Sequence, residues 1–387
     1  MKLLPCISQT QNKIPYRFPL TGTHVYSLEE ALYHVYHYWK QSMDDVVNPF
    51  FASWVGEKLG LAFVASKISE IAKIDQFSER MLAFLALIEY FSEQELNALR
   101  PELEQWEKRQ EWETYKERAD SLVNSGRPDK AIALYQRAIK YEENVPLLNN
   151  LGVAYMQIEK YTEASQYLGK ARKLDAGNWE LALNHAEALI LAKRFDDAAD
   201  AIQFAAKSTN EAKAVILYLK GELALRMGQY AEAIPYFEAA IKIEEEKQYV
   251  FRLIDTYTRM RQYDKALQTL NKYTLHSVDY LIKEAEIYEQ SNNIEEAIAS
   301  IQSAIKLKSG LPDLWVLLAK YYRLNSNLIS AEKAINKATA LDSNNGRVQL
   351  ENARIMKRLG KTKAYQLLLK DMLIELKHQY REAHLND

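Results

Sequence analysis

The sequence predicts an all-α chain in which a helical N-terminal domain precedes a solenoid of stacked helix pairs. Three observations carry that prediction. A small residue recurs at a nearly fixed period, each recurrence opens an amphipathic helical pattern, and turn-forming residues fall between the patterns. The marker alanine stands at Ala131, Ala164, Ala198, Ala233, Ala266, Ala297 and Ala331, with spacings of 33, 34, 35, 33, 31 and 34. A second alanine follows seven residues later at Ala138, Ala171, Ala205, Ala240, Ala304 and Ala338, and only Tyr273 breaks that column. Twelve residues before each marker lies another small residue, at Ala119, Gly152, Ala186, Gly221, Ala285 and Ala319, with Ile254 the exception.

Two helices approach closely only where the facing side chain is nearly absent, so the small columns mark crossings. Tyr135, Leu168, Ile202, Phe237, Leu270, Ile301 and Ile335, four residues past the markers, share their helical face and fill the space between crossings. Turn chemistry separates the helices of a pair at Ser125-Gly126, Gly228 and Ser291-Asn292-Asn293. It separates one pair from the next at 175–178, Pro312 and 342–346.

Ahead of the repeats the alanine ladder is missing, but helix starts are clear. Residues 16–22 suit a short extended hairpin. Ser27 to Glu30 reads as a capping box before a stripe of Leu28, Ala31, Leu32, Val35, Tyr36 and Trp39. Asn48-Pro49 starts a helix through Val55, stopped at Gly60. Further helices are expected near 61–73 and 78–91, and Ser92 to Glu95 is a second capping box whose helix should end or kink at Pro101. Trp106 and Trp112 are expected to lock the junction with the repeats. The domain boundaries expected are 1–111 for the helical N-terminal domain, 112–346 for about seven repeats, and 347–387 for C-terminal capping helices and tail. In that last segment Leu350, Ala353, Met356, Leu359, Leu367, Leu368 and Leu373 should supply an apolar face.

Composition narrows the function. Lys and Arg total 50 against 52 Asp and Glu, a net charge of −2, which removes the basic footprint of a general nucleic-acid binder. One cysteine, Cys6, allows no intrachain disulfide and suits a reducing, cytoplasmic setting. No apolar run is long enough to span a membrane, and the polar stretch after Ile7 cuts short any secretory leader.

The residues of the ladder resemble the tetratricopeptide repeat family. Leu151-Gly152, Tyr155, Ala164 and Ala171 follow its pattern, as do Gly221, Ala233, Phe237 and Ala240, and Trp315, Leu318, Ala319, Tyr322, Ala331 and Ala338. The resemblance implies a right-handed superhelix whose first helices line a concave groove that binds peptides or protein segments. The fifth repeat, around Tyr257 and Tyr263, has lost two small positions, which implies a local change in curvature. The stretch from Pro15-Tyr16 to Glu30 is similar to a leader of Firmicutes-type bacterial tetratricopeptide proteins, implying a bacterial, cytoplasmic, chaperone-related context and no activity.

Chemistry is sparse. His34 and His37, with Glu30 one turn earlier, have a spacing that metal ligands use, but Glu30 already serves the capping box and the other histidines are scattered. No phosphate loop, nucleophile elbow or His-Glu-x-x-His helix occurs, so no catalytic residue, metal or cofactor is expected and the chain is read as a non-enzyme. The family's carboxylate clamp maps onto Lys116, Asp120, Asn150, Glu180 and Asn184. Asp120 and Glu180 would repel the carboxylate that the clamp attracts.

One position past the small column, the resemblance implies a groove-facing track of Asp120, Val153, Glu187, Glu222, Asp255, Glu286 and Lys320, largely acidic, flanked by Leu183, Tyr218, Phe251 and Ile282. Its natural ligand is a basic or amphipathic protein segment; the alternative is that Arg226, Arg252, Arg259 and Lys283 merely pair with these carboxylates. The partner-binding residues are therefore expected to be Asp120, Asn150, Leu183, Glu187, Tyr218, Glu222, Phe251, Asp255, Ile282 and Glu286. The basic segment after Gly346 is a candidate for docking in another copy's groove, giving self-association. The leading function is a scaffold or adaptor binding a protein segment, without nucleic acid or membrane. The alternative is a peptide-sensing regulator whose N-terminal domain is the effector.

Overall fold

The computed structural model describes residues 14–273 and 277–384, and among them the chain is helical apart from one small hairpin. The chain divides into two compact units, Met1–Ser208 and Thr209–Asp387.

The first unit opens with strands β1 (Tyr16–Arg17) and β2 (His24–Val25), antiparallel with Tyr16 opposite Val25. Helices α1 (Leu28–Val46), α2 (Pro49–Ser53), α3 (Ala62–Ile71), α4 (Phe77–Leu85) and α5 (Glu93–Glu107) follow, and a π-helical turn at Trp54–Lys58 extends α2. Ser27 caps α1 by accepting from the Glu30 amide, while Glu30 itself accepts from the Tyr26 amide at 2.6 Å. The Ser92–Glu95 capping box is complete. The hairpin earns its place through Phe18 and Val25, buried with Phe51, Trp54 and Phe84 in the N-terminal core.

Helix α5 does not end at Pro101 but runs on to Glu107. An interior proline costs about 3 kcal/mol. Leu103 and Trp106, buried beyond it in the N-terminal core, offset that cost, with Trp106 set edge-on to Trp39 at 5.0 Å. The helices expected near 61–73 and 78–91 stop earlier, at Ile71 and Leu85.

Three helix pairs complete this unit: α6 (Glu111–Asn124) with α7 (Pro128–Tyr141), α8 (Val145–Gln157) with α9 (Tyr161–Leu174), and α10 (Trp179–Leu191) with α11 (Phe195–Ser208). The hairpin and α1 are fastened to the first pair by polar contacts. Arg127 donates to the Leu20 carbonyl at 2.8 Å, Gln41 to Ser121 at 2.6 Å, and the buried Arg118 meets Asp44 at 2.5 Å. Lys40 bridges Glu102 and Glu117. Trp106 belongs to the N-terminal core, and Trp112 packs against the core of the first repeats.

The second unit continues the pairs: α12 (Lys213–Arg226) with α13 (Tyr230–Ile243), α14 (Lys247–Arg259) with α15 (Tyr263–Lys272), α16 (Val278–Gln290) with α17 (Ile294–Leu307), and α18 (Pro312–Leu324) with α19 (Leu328–Leu341). A last pair, α20 (Gly346–Arg358) with α21 (Thr362–His384), closes it. The marker alanines are all fully buried. A Cβ at Gly152 would stand 2.5 Å from Leu168, and one at Gly221 would stand 2.6 Å from Phe237, so the small column does meet the bulky residue four past the marker. In the fifth pair Ile254 is buried where others have a small residue, and α15 has 10 residues against 14 in α13 and α17.

The C-terminal pair covers less than its sequence suggests. Val348, Ala353 and Ile355 of α20 are buried, but Leu350, Leu367 and Leu373 are exposed. Helix α21 packs against α20, and among its described side chains none is buried.

Candidate partner-binding face

In the second unit the first helices of successive pairs repeat one arrangement. Tyr218 and Glu222 on α12, Phe251 and Asp255 on α14, and Ile282 and Glu286 on α16 each stand four residues apart, hence on one helical face. The apolar members are half-buried. Tyr218 stacks on Tyr249 with centroids 4.8 Å apart, and Phe251 meets Tyr280 edge-on at 5.2 Å.

The carboxylates are tied to cations. Arg226 approaches Glu222 at 3.7 Å from the next helical turn, and Arg252 reaches it from α14 at 2.7 Å. The Arg252 contact is an ion pair without hydrogen-bond alignment, which leaves Glu222 Oε1 lacking a donor. Arg252 also lies 3.6 Å from Asp255, while Lys283 stands 2.8 Å from both Asp255 and Glu286. Three of the four candidate counter-charges, Arg226, Arg252 and Lys283, thus take these partners.

The row continues through Lys320 with Glu289 at 2.7 Å and Arg323 with Glu351 at 2.5 Å. Sequence reasoning did not find Glu351, a buried carboxylate two positions before Ala353 of α20, the place that Arg252 and Lys283 take on α14 and α16. Glu222 is the other buried acid of the row. Burial holds its carboxyl above the ordinary range, against the pull of Arg252 and Arg226.

In the first unit the corresponding residues are differently engaged. Asp120 on α6 is held by Lys116 at 2.7 Å, by the Tyr135 hydroxyl at 2.5 Å and by Asn150 Nδ2 of α8 at 3.0 Å. Asn184 of α10 donates to Asn149 at 2.9 Å. Four of the five clamp-equivalent side chains, Lys116, Asp120, Asn150 and Asn184, are therefore bonded within the protein. Leu183 is buried and Glu187 exposed.

The histidines have local roles. Buried His34 lies 3.0 Å from the Thr21 hydroxyl and stacks on Tyr38, and burial lowers its pKa to about 4. His37 lies against Tyr33 and Tyr36. Among the described residues no group of His, Cys, Asp and Glu is set to hold a metal, and no helix is long and apolar enough to cross a membrane.

Models of the tetratricopeptide repeat match residues 116–167, 149–212, 224–286 and 278–310. The chain is 26% identical to a tetratricopeptide repeat-containing protein of Methanocaldococcus jannaschii, over 62% of this chain and 40% of that protein. It is 24% identical to a BBSome complex member of Bos taurus, over 46% of this chain and 42% of that one. The matches thus span less than half the length of these relatives. Among solved structures, a tetratricopeptide repeat protein from Parabacteroides merdae is similar at 19% identity and a TM-score of 0.47, covering 64% of this chain and all of that one. The resemblance of the leading segment to Firmicutes-type proteins has no counterpart in these matches.

Proposed function

From the premise that the chain carries tetratricopeptide repeats, we propose that it is a scaffold that holds a segment of a partner protein against the first helices of its pairs. Such repeats generally serve protein interaction. The observation that carries the reading is the row in the second unit, where Tyr218, Phe251 and Ile282 each precede a carboxylate by one helical turn. In the first unit exposed Glu187 takes the same role, whereas Asp120 and Asn150 bond each other and Leu183 is buried, so these three shape the face from beneath.

Because Arg252 and Lys283 already neutralise Glu222 and Asp255, charge on this row selects register more than it supplies affinity. The fitting partner is an amphipathic segment whose apolar side lies on Phe251 and Ile282 and whose basic side chains reach Asp255 and Glu286. Binding rather than catalysis is the activity, in a reducing cytoplasmic setting of the kind that a single cysteine suits.

Affinity capture with the full chain tests this. Asp255→Lys with Glu286→Lys should lose the protein partners that the wild type retains, while helicity stays close to wild type and the melting temperature falls modestly as Lys283 loses both partners. Recovery of the same partners in the same amounts would sink the reading.

A further inference from the structure

Three exposed lysines of the second unit gather on its second helices, away from the first-helix row. Between the second helices α17 and α19, floored by α18, is a cavity of about 570 Å³. Its apolar floor is Ile305, Trp315, Leu318, Tyr322 and Ala334. Lys306, Lys333 and Lys337 line it, all exposed, and no carboxylate does. Among the described residues these three lysines make no ion pair, whereas the nearby Lys320 and Lys361 do.

The repeat shows why the cavity exists. Counted from the marker alanines, the equivalent place in the first unit lies between α7 and α9, over α8. There Gln136 donates to the Tyr155 hydroxyl at 2.9 Å, and here Gln302 donates to the Tyr322 hydroxyl at 2.9 Å, so the two sites share a frame. In the first unit Tyr167 stacks on Tyr155, with centroids 5.5 Å apart and planes 7° from parallel, and Lys170 lies over the Tyr167 ring.

Three residues past its own marker, where Tyr167 stands in α9, α19 has Ala334. The face of Tyr322 that Tyr167 would cover is left open, and the cavity is the missing ring's space. Two further exchanges shift the charge: Ser330 replaces the equivalent of Glu163, and Lys333 the equivalent of Gln166. Lys337, the counterpart of Lys170, has no internal ring beneath it.

We propose that this cavity binds an acidic segment of a partner protein through an aromatic anchor. The anchor's ring takes the place that Tyr167 fills in the first unit, stacked on Tyr322 beside Trp315 and Ala334, and flanking carboxylates meet Lys306, Lys333 and Lys337. Aromatic stacking gives position and lysines choose sign, so a basic segment is rejected. The site is separate from the first-helix row and of opposite preference, which would let one chain hold two unlike segments.

The test uses the full chain and a fluorescein-labelled peptide with one phenylalanine flanked on both sides by glutamates and aspartates, read by fluorescence polarisation. The wild type should bind it, and binding should weaken as salt rises. Ala334→Tyr, which refills the space as the first unit does, and Lys333→Glu with Lys337→Glu should each weaken binding roughly tenfold or more, a difference of about 1.4 kcal/mol. A peptide with alanine for phenylalanine should weaken similarly, and Ala334→Ser should bind as wild type.

The lysines are exposed, so their variant keeps the test decisive even where Ala334→Tyr folds poorly. Asp255→Lys with Glu286→Lys should bind this peptide normally, which separates this proposal from the first-helix reading. Absent binding, equal affinity in the lysine variant, or preference for a lysine-flanked peptide would overturn it.

Discussion

Glu222 holds a carboxylate where little water reaches, and Arg252 decides what that costs. Removing one partner of a buried ion pair strands the other, typically at about 3–5 kcal/mol, whereas replacing both by apolar residues is often neutral. Arg252 is itself partly exposed, so Arg252→Ala should destabilise the second unit by about 3 kcal/mol in urea unfolding. Arg252→Met combined with Glu222→Met should recover most of the loss; equal losses in both would show that the pair is not the cause.

In the first unit Asp45 supplies a pH dependence. Burial pushes its carboxyl from 3.8 to about 7, with Asp44 adding to the rise and Arg118 opposing it. One carboxylate oxygen has no partner. The folded state therefore keeps a proton that the unfolded chain has released, and stability from this group is full below the unfolded value and falls as pH rises toward 7. Asp45→Asn should thus stabilise the protein at pH 8 by about 2 kcal/mol, a partial-exposure figure, with the gain vanishing below pH 4. A gain that is the same at both pH values would contradict it. Neither site was legible as such. The spacings Arg252–Asp255 and Lys283–Glu286 were readable within one helix, but the bonds from Arg252 to Glu222 and from Lys283 to Asp255 cross between pairs. They depend on packing that a single helix does not encode.

At the scale of elements, the turn inside each pair is one repeated device. Five residues before every marker alanine the backbone has positive φ, at Gly126, Glu159, Lys193, Gly228, Arg261, Asn292 and Ser326. The next amide bonds back across the turn, as Arg127 does to Leu122, Lys160 to Tyr155 and Arg194 to Leu189, which is the Schellman closure of a helix. Gly360 and the Lys361 amide repeat it between α20 and α21, so the C-terminal pair uses the repeat's own turn.

A non-glycine side chain in that conformation costs about 1 kcal/mol. Lys193→Gly and Arg261→Gly should each stabilise by up to about 1 kcal/mol in urea unfolding, and Gly228→Ala should lose a similar amount. Stabilisation absent in both glycine variants would mean that the turns are relaxed by other contacts. The sequence showed these turns only where glycine or asparagine stood. Glu159, Lys193 and Arg261 take the same conformation because flanking helices impose it, and no local signal marks them. Pro101 is the converse case: a strong local signal was overridden by the burial of Leu103 and Trp106.

Across the whole molecule, a period was legible and an aperiodic core was not. The alanine ladder located every pair from α6 to α19, because close packing at a fixed interval leaves a trace in residue size. The N-terminal core has no such interval. Phe18, Phe51, Trp54 and Phe84 meet from three separate segments, and only their helix starts could be read.

The binding face was legible in part: its positions follow from the ladder, while its neutralised charge follows from side chains that come together only in the fold. The most direct test of the scaffold reading is site-specific photo-crosslinking of the full chain. A photoreactive residue at Tyr218 or Ile282 should attach to a partner protein, and the same residue at exposed Lys242 or Gln268 on second helices should not. Crosslinks confined to Lys242 and Gln268, or none at Tyr218 and Ile282, would contradict the account.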